Sequence, residues 1–92
     1  MNTPHVSLIV LKHEDEHDRE GRVAFIAGKK LGNAVWRNRA KRRMRSLCRD
    51  NGGPFDGYDV VFIARKNVNE ASYRKMSNDL GEALKKAGII FG

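Results

Sequence analysis

His13-Glu14-Asp15-Glu16-His17 matches H-E-x-x-H, in which two histidines one helical turn apart hold zinc and the glutamate acts as a base. That chemistry needs a helix, a third ligand and a cleft. The match lies in a polar stretch after a short apolar run, without apolar periodicity on its flanks, and the only other histidine is His5. The segment therefore reads as a solvated loop, with Glu14, Asp15 and Glu16 in water. Gly28-Lys29-Lys30 touches the phosphate-loop pattern. That pattern needs Gly at 23 and Ser or Thr at 30, where Val23 and Lys30 stand, so it fails. Cys48 lies among arginines, which could depress its pKa, but it sits beside an apolar stripe, the place of a small buried thiol rather than a nucleophile. No serine–histidine or cysteine–histidine nucleophile pattern is present, so the chain offers no catalytic constellation and no metal site.

The chemistry it does offer is phosphate recognition. Residues 29–49 hold nine of the eighteen Lys and Arg residues and no acid. From Arg37 to Arg49 arginine outnumbers lysine six to one. Arginine presents a planar fork of donors that fits phosphate bidentately and can stack on bases. The apolar residues Trp36, Ala40, Met44 and Leu47 recur at helical spacing, with Val35 and Cys48 beside them. On that helix Asn38, Lys41, Arg42, Arg45 and Arg49 form one continuous stripe. A solvated face ordinarily mixes signs, and this one does not. Like charges in a row repel at i,i+4, so the row costs stability until a polyanion lies along it. Trp36 has two readings, a base-stacking platform or a residue facing the core. The apolar residues that follow it on the same face favour the core.

The elements that must position this helix follow from the flanking pattern. Residues 6–11 and 22–28 read as strands, the second apolar enough to be a central strand buried on both faces. His13 to Gly21 is the loop between them. Leu31-Gly32-Asn33 is the turn into the basic helix, with Asn33 as N-cap and Gly52-Gly53-Pro54 as the stop. Residues 59–65 form a third strand. Ser72 caps a last helix whose apolar face is Tyr73, Met76, Leu80, Ala83, Leu84 and Ala87, ended by Gly88. Strand–helix–strand over 22–65 implies two parallel strands joined by a crossover.

Length and charge agree with one small domain, residues 1–92, with room for a single core. The net charge is +7 and the isoelectric point about 10, a balance that points to nucleic acid or an anionic surface. The charge is polarised: residues 14–20 carry five acids against Arg19, opposite the basic pole at 29–49. One cysteine excludes an internal disulfide. With no long apolar run and no signal-type segment, the expected location is the cytoplasm.

Lys29-Lys30-Leu31-Gly32-Asn33-Ala34-Val35 followed by Arg37-Asn38-x-x-Lys41-Arg42-x-x-Arg45 resembles the signature of the bacterial ribonuclease P protein subunit. Residues 22–87 are similar to that family throughout, and residues 6–11 by pattern. The resemblance implies a small two-layer α/β sandwich, a mixed sheet packed by helices in the order strand-strand-helix-strand-helix, with a left-handed crossover against the usual rule. It also implies the non-catalytic protein subunit of a ribonucleoprotein endonuclease. The partner RNA is the catalyst and uses magnesium to remove the 5′ leader from precursor tRNA. The protein itself binds no cofactor. Carried over, Arg37, Asn38, Lys41, Arg42 and Arg45 contact the catalytic RNA, with Lys29, Lys30, Arg39 and Arg49 beside them, on a protein expected to be a monomer. The alternative from the residues alone is a general RNA- or DNA-binding module using the same helix.

Two departures bear on the leader. The family begins with a basic, aromatic-bearing helix that forms one wall of the leader cleft. This chain starts close to its first strand, so that helix is expected to be missing, through a late start or natural shortening. Ile9 stands where many relatives place a cleft tyrosine, leaving Phe25 and Tyr58 as the nearby aromatics. Contact with the RNA subunit is the better supported of the two expectations.

Overall fold

The computed structural model describes residues 1–15 and 17–90. Its elements are β1 (Val6–Lys12), β2 (Arg22–Ile26), a single 3-10 turn (Lys29–Leu31), α1 (Ala34–Asp50), β3 (Tyr58–Ala64) and α2 (Tyr73–Lys86). The sequence boundaries hold to within about two residues at every strand and helix end.

Both helix starts are fixed by side chains. The Asn33 carboxamide oxygen accepts the Trp36 N–H at 2.9 Å, and Ser72 Oγ accepts from the Lys75 N–H. Gly88 ends α2 at a positive φ of 74°, with its N–H bonded to the Lys85 carbonyl and the Ile89 N–H to the Leu84 carbonyl. This paired closure needs a left-handed residue, which glycine adopts without penalty.

The sheet has the order β1-β3-β2, with β3 antiparallel to β1 and parallel to β2. The central strand is therefore β3, and the expectation of a central β2 is wrong. β2 is an edge strand: Val23 and Phe25 are half-buried, while Arg22, Ala24 and Ile26 are exposed. Its apolar run misleads because Ala24 and Ile26 are apolar residues on an uncovered face.

The pairings Leu8 with Phe62, Val10 with Val60 and Phe25 with Phe62 place these side chains on one face of the sheet, beneath both helices. Ala40, Met44, Leu47 and Cys48 of α1 and Met76, Leu80 and Leu84 of α2 close over them. The other face carries Ile9, Leu11, Ala24, Ile26, Val61 and Ile63 with no helix against it. Leu11 is 60% exposed, Ile9 50% and Ile26 48%.

Candidate nucleic-acid interface

α1 bridges the parallel strands β2 and β3 and lies beside α2. Its flank toward α2 is bonded down. Arg43 Nη2 donates to the Ala71 carbonyl at 2.6 Å, and Asn69 Nδ2 donates to the Trp36 carbonyl at 3.0 Å. Asn51 Nδ2 donates to both the Leu47 carbonyl and Ser77 Oγ. The Tyr73 hydroxyl donates to Asp50, and burial first, then that bond, pushes Tyr73 up to about 12. Arg43 is drawn below the usual arginine range by burial and by its neighbour Arg39. Arg39 thus lies on this flank, exposed, apart from the main row.

The rest of the row faces outward. Asn38, Arg42, Arg45 and Arg49 are exposed, and Arg37 and Lys41 half-buried. Among the described residues the only acid within ion-pair reach of this row is Asp50, 3.9 Å from Arg49 Nε. Both partners are exposed, and such a pair contributes little. Arg45 sits over the Phe25 ring, 5.7 Å from its centroid. Lys29 and Lys30 are exposed on the 3-10 turn that leads from β2 to the N-terminus of α1, an end that itself favours anions. The residues singled out from sequence thus occupy one basic surface running from the 3-10 turn along α1, with Arg39 displaced to its α2 side.

Trp36 is half-buried against the core, its indole over Gly32. A Cβ at Gly32 would stand 2.8 Å from the Trp36 Cβ and Cγ, so only glycine lets the turn pass beneath the ring. Cys48 is 3% exposed, and burial pushes its thiol up to about 11, the reverse of an activated nucleophile.

The H-E-x-x-H stretch has another use. His13 Nδ1 lies 2.7 Å from the Asp18 carbonyl, and His13 Nε2 lies 2.8 Å from Asp59 Oδ1. Both partners accept, an arrangement that favours the doubly protonated ring. The bond to Asp59, then that to the Asp18 carbonyl, raises the His13 pKa. Arg22 also donates to both Asp59 oxygens, at 3.3 and 3.0 Å, and with His13 holds that carboxyl at about 2. The histidine therefore clamps the base of the acidic loop to the start of β3, where Arg22 ties in the start of β2. His17 is exposed, as are Glu14 and Asp15, while Glu16 lies outside the described residues. Among the described residues no three His, Cys, Asp or Glu side chains gather as a metal site. Sequence reasoning missed this clamp because Asp59 lies 46 residues from His13.

Phe25 and Tyr58 do not serve the uncovered sheet face. Both pack on the helix side, Phe25 with its ring 5.3 Å from that of Phe62. Among the described strand residues the uncovered face carries Ser7, Arg22 and Asp59 beside its aliphatic side chains, with no aromatic ring for a base to stack on.

A mixed three-stranded sheet under two helices, with a one-signed arginine stripe on the crossover helix, is the architecture of a small α/β protein suited to a polyanion. Comparison with known proteins narrows the class. The ribonuclease P family profile matches residues 1–88, so the chain belongs to the ribonuclease P protein family and carries that family's role in an RNA-containing, tRNA-processing ribonuclease. It is 38% identical over 81 residues to the ribonuclease P protein component of Streptococcus agalactiae serotype III (strain NEM316), covering 88% of this chain and 74% of that protein. It is 37% identical over 84 residues to the component from Syntrophomonas wolfei, covering 90% and 70%. The RNase P protein from Thermotoga maritima superposes with a TM-score of 0.75 at 26% identity, covering all of this chain and 83% of that one. The Staphylococcus aureus protein shares the fold, with a TM-score of 0.74 at 24% identity.

Proposed function

We propose that this chain is the non-catalytic partner in its ribonucleoprotein. Lys29, Lys30, Arg37, Asn38, Arg39, Lys41, Arg42, Arg45 and Arg49 grip the catalytic RNA, and that RNA holds the magnesium and cuts the 5′ leader from precursor tRNA. The observation that carries this reading is the one-signed stripe on α1, whose guanidinium groups keep their donors for phosphate while the neighbouring flank is hydrogen-bonded to the segment that leads into α2. The protein acts in the cytoplasm as a monomer on that RNA. Contact with the leader falls to the uncovered sheet face that carries Ile9. With no aromatic ring among its described strand residues, that face makes leader contact the weaker part of the role.

Reconstitution tests the reading. RNA-free protein should leave precursor tRNA intact. Addition of the ribonuclease P RNA from the same genome should restore leader removal at magnesium concentrations where the RNA alone is slow. Specific cleavage by the RNA-free protein would overturn the division of labour. Tight binding to RNA without any rescue would leave a general nucleic-acid binder instead.

A further inference from the structure

The arginines of this protein differ in how they are held. Arg22 gives its donors to Asp59, Arg43 to the Ala71 carbonyl and Arg65 to the Thr3 carbonyl. Arg45 is held in another way, with its guanidinium carbon 5.7 Å from the centroid of the Phe25 ring. A cation over an aromatic face is attracted by the ring quadrupole and uses no N–H to be so. Among the described residues nothing accepts a hydrogen bond from Arg45, so its donors remain for a ligand. The ring itself is fixed: Phe25 stands on the edge strand β2, half-buried, and packs on Phe62, which has no exposed surface at the centre of the sheet. An arginine on an exposed helix face otherwise samples many rotamers, and ordering it on binding costs free energy.

We propose that Phe25 is a positioning residue for RNA binding: it holds the Arg45 guanidinium over the β2 edge with its donors unspent, so that it meets phosphate already oriented. This rests on the reading of the α1 stripe as the RNA-contacting surface. It also extends the interface from the helix onto the flank of the sheet, with β2 as its backing.

The test is binding to in vitro transcribed ribonuclease P RNA from the same genome, titrated across a salt series. The proteins are wild type, Phe25→Leu, Phe25→Tyr, Arg45→Ala and the Phe25→Leu/Arg45→Ala double variant. Phe25→Leu keeps an apolar side chain and removes the ring. It should weaken binding about two- to fivefold, the equivalent of an exposed cation–π contact, without changing the salt slope, because the number of phosphates engaged is the same. Phe25→Tyr should bind like wild type. In the Arg45→Ala background Phe25→Leu should cost nothing further. A Phe25→Leu protein that binds like wild type, or that loses as much with Arg45 absent, overturns the proposal while leaving the stripe intact. An Arg45→Ala protein with undiminished affinity overturns the stripe reading and this inference with it. A measurement on wild type alone covers the case of a poorly folded variant: the Arg45 δ-methylene protons should resonate upfield under the Phe25 ring current. Resonances at ordinary arginine positions would show that the contact is absent in solution.

Discussion

α1 and α2 lie side by side on one face of the same sheet, and below their midlines they are alike. Each starts on a side-chain cap, and each buries an apolar stripe, Ala40, Met44, Leu47 and Cys48 in one and Met76, Leu80 and Leu84 in the other. Above the midline they part. α2 interleaves Arg74, Lys75, Asp79, Glu82, Lys85 and Lys86, the mixture expected where a face only meets water. α1 sets Arg39, Arg42, Arg45 and Arg49 in view with no acid before Asp50. The core constrains both helices equally, so their difference is not about folding. Repulsion retained on one helix and relieved on its neighbour marks the face that meets a polyanion.

The comparison breaks first at its shared base if that base is wrong. Met44→Ala and Leu84→Ala should each destabilise the domain by about 2 to 5 kcal/mol in denaturant melts, as large-to-small core changes do. Either helix tolerating its truncation would mean the two are not equivalent supports. Trp36→Ala should cost somewhat less, about 2 to 3 kcal/mol, because the indole is only half-buried over Gly32. A variant that melts like wild type but binds RNA poorly would move the ring to the RNA surface. Above the midline, Arg42→Ala should weaken RNA binding about tenfold and flatten the salt slope by about one unit with the melting temperature unchanged, whereas Lys85→Ala on α2 should do neither. Equal effects would erase the contrast.

Within α1 the two flanks can be separated as well. Arg43→Ala should lower stability by about 1 kcal/mol through loss of the bond to the Ala71 carbonyl and leave the salt slope alone. The smallest effect lies at the end of the sheet, where His13 and Asp59 meet. The raised pKa of His13 stabilises the fold fully below about pH 6.5, its unfolded value, and that contribution is lost as pH rises through the folded value. Asp59 works in the other direction: its contribution is present above its unfolded value and is lost as pH falls toward about 2. Thermal melts against pH should show the alkaline decline in wild type and not in His13→Gln, with RNA affinity at neutral pH the same in both.

Local signals placed the elements well. The capping residues Asn33 and Ser72, the stop at Gly88 and the 3.6-residue stripes are each written within a few positions of where they act. The rank of the strands was not legible. A run such as Val23-Ala24-Phe25-Ile26 looks equally buried whether both faces are covered or one is left bare, because periodicity reports polarity and not what lies opposite. The arginine row was visible as composition. Helical spacing already put Arg39 off the stripe, but the tie of Arg43 to the Ala71 carbonyl and the seat of Arg45 on Phe25 were not visible, since those partners lie 20 or more residues away in the chain. The histidine clamp hid for the same reason and left a metal-like motif in its place.

The parallel pairing of β2 with β3 has a consequence for how the protein is made. These strands cannot meet through a tight turn; the chain must traverse the length of α1 and return before the edge strand can dock. Non-local pairing of this kind slows folding, and the nascent chain bears its densest positive charge on the very segment whose ordering closes the sheet. Any ligand that grips α1 when ordered and ignores it when unfolded pulls the whole domain toward its native state, by about 2.7 kcal/mol at a hundredfold excess over its Kd. Assembly and folding are then linked equilibria, in which chains that find no RNA are the ones most open to proteolysis.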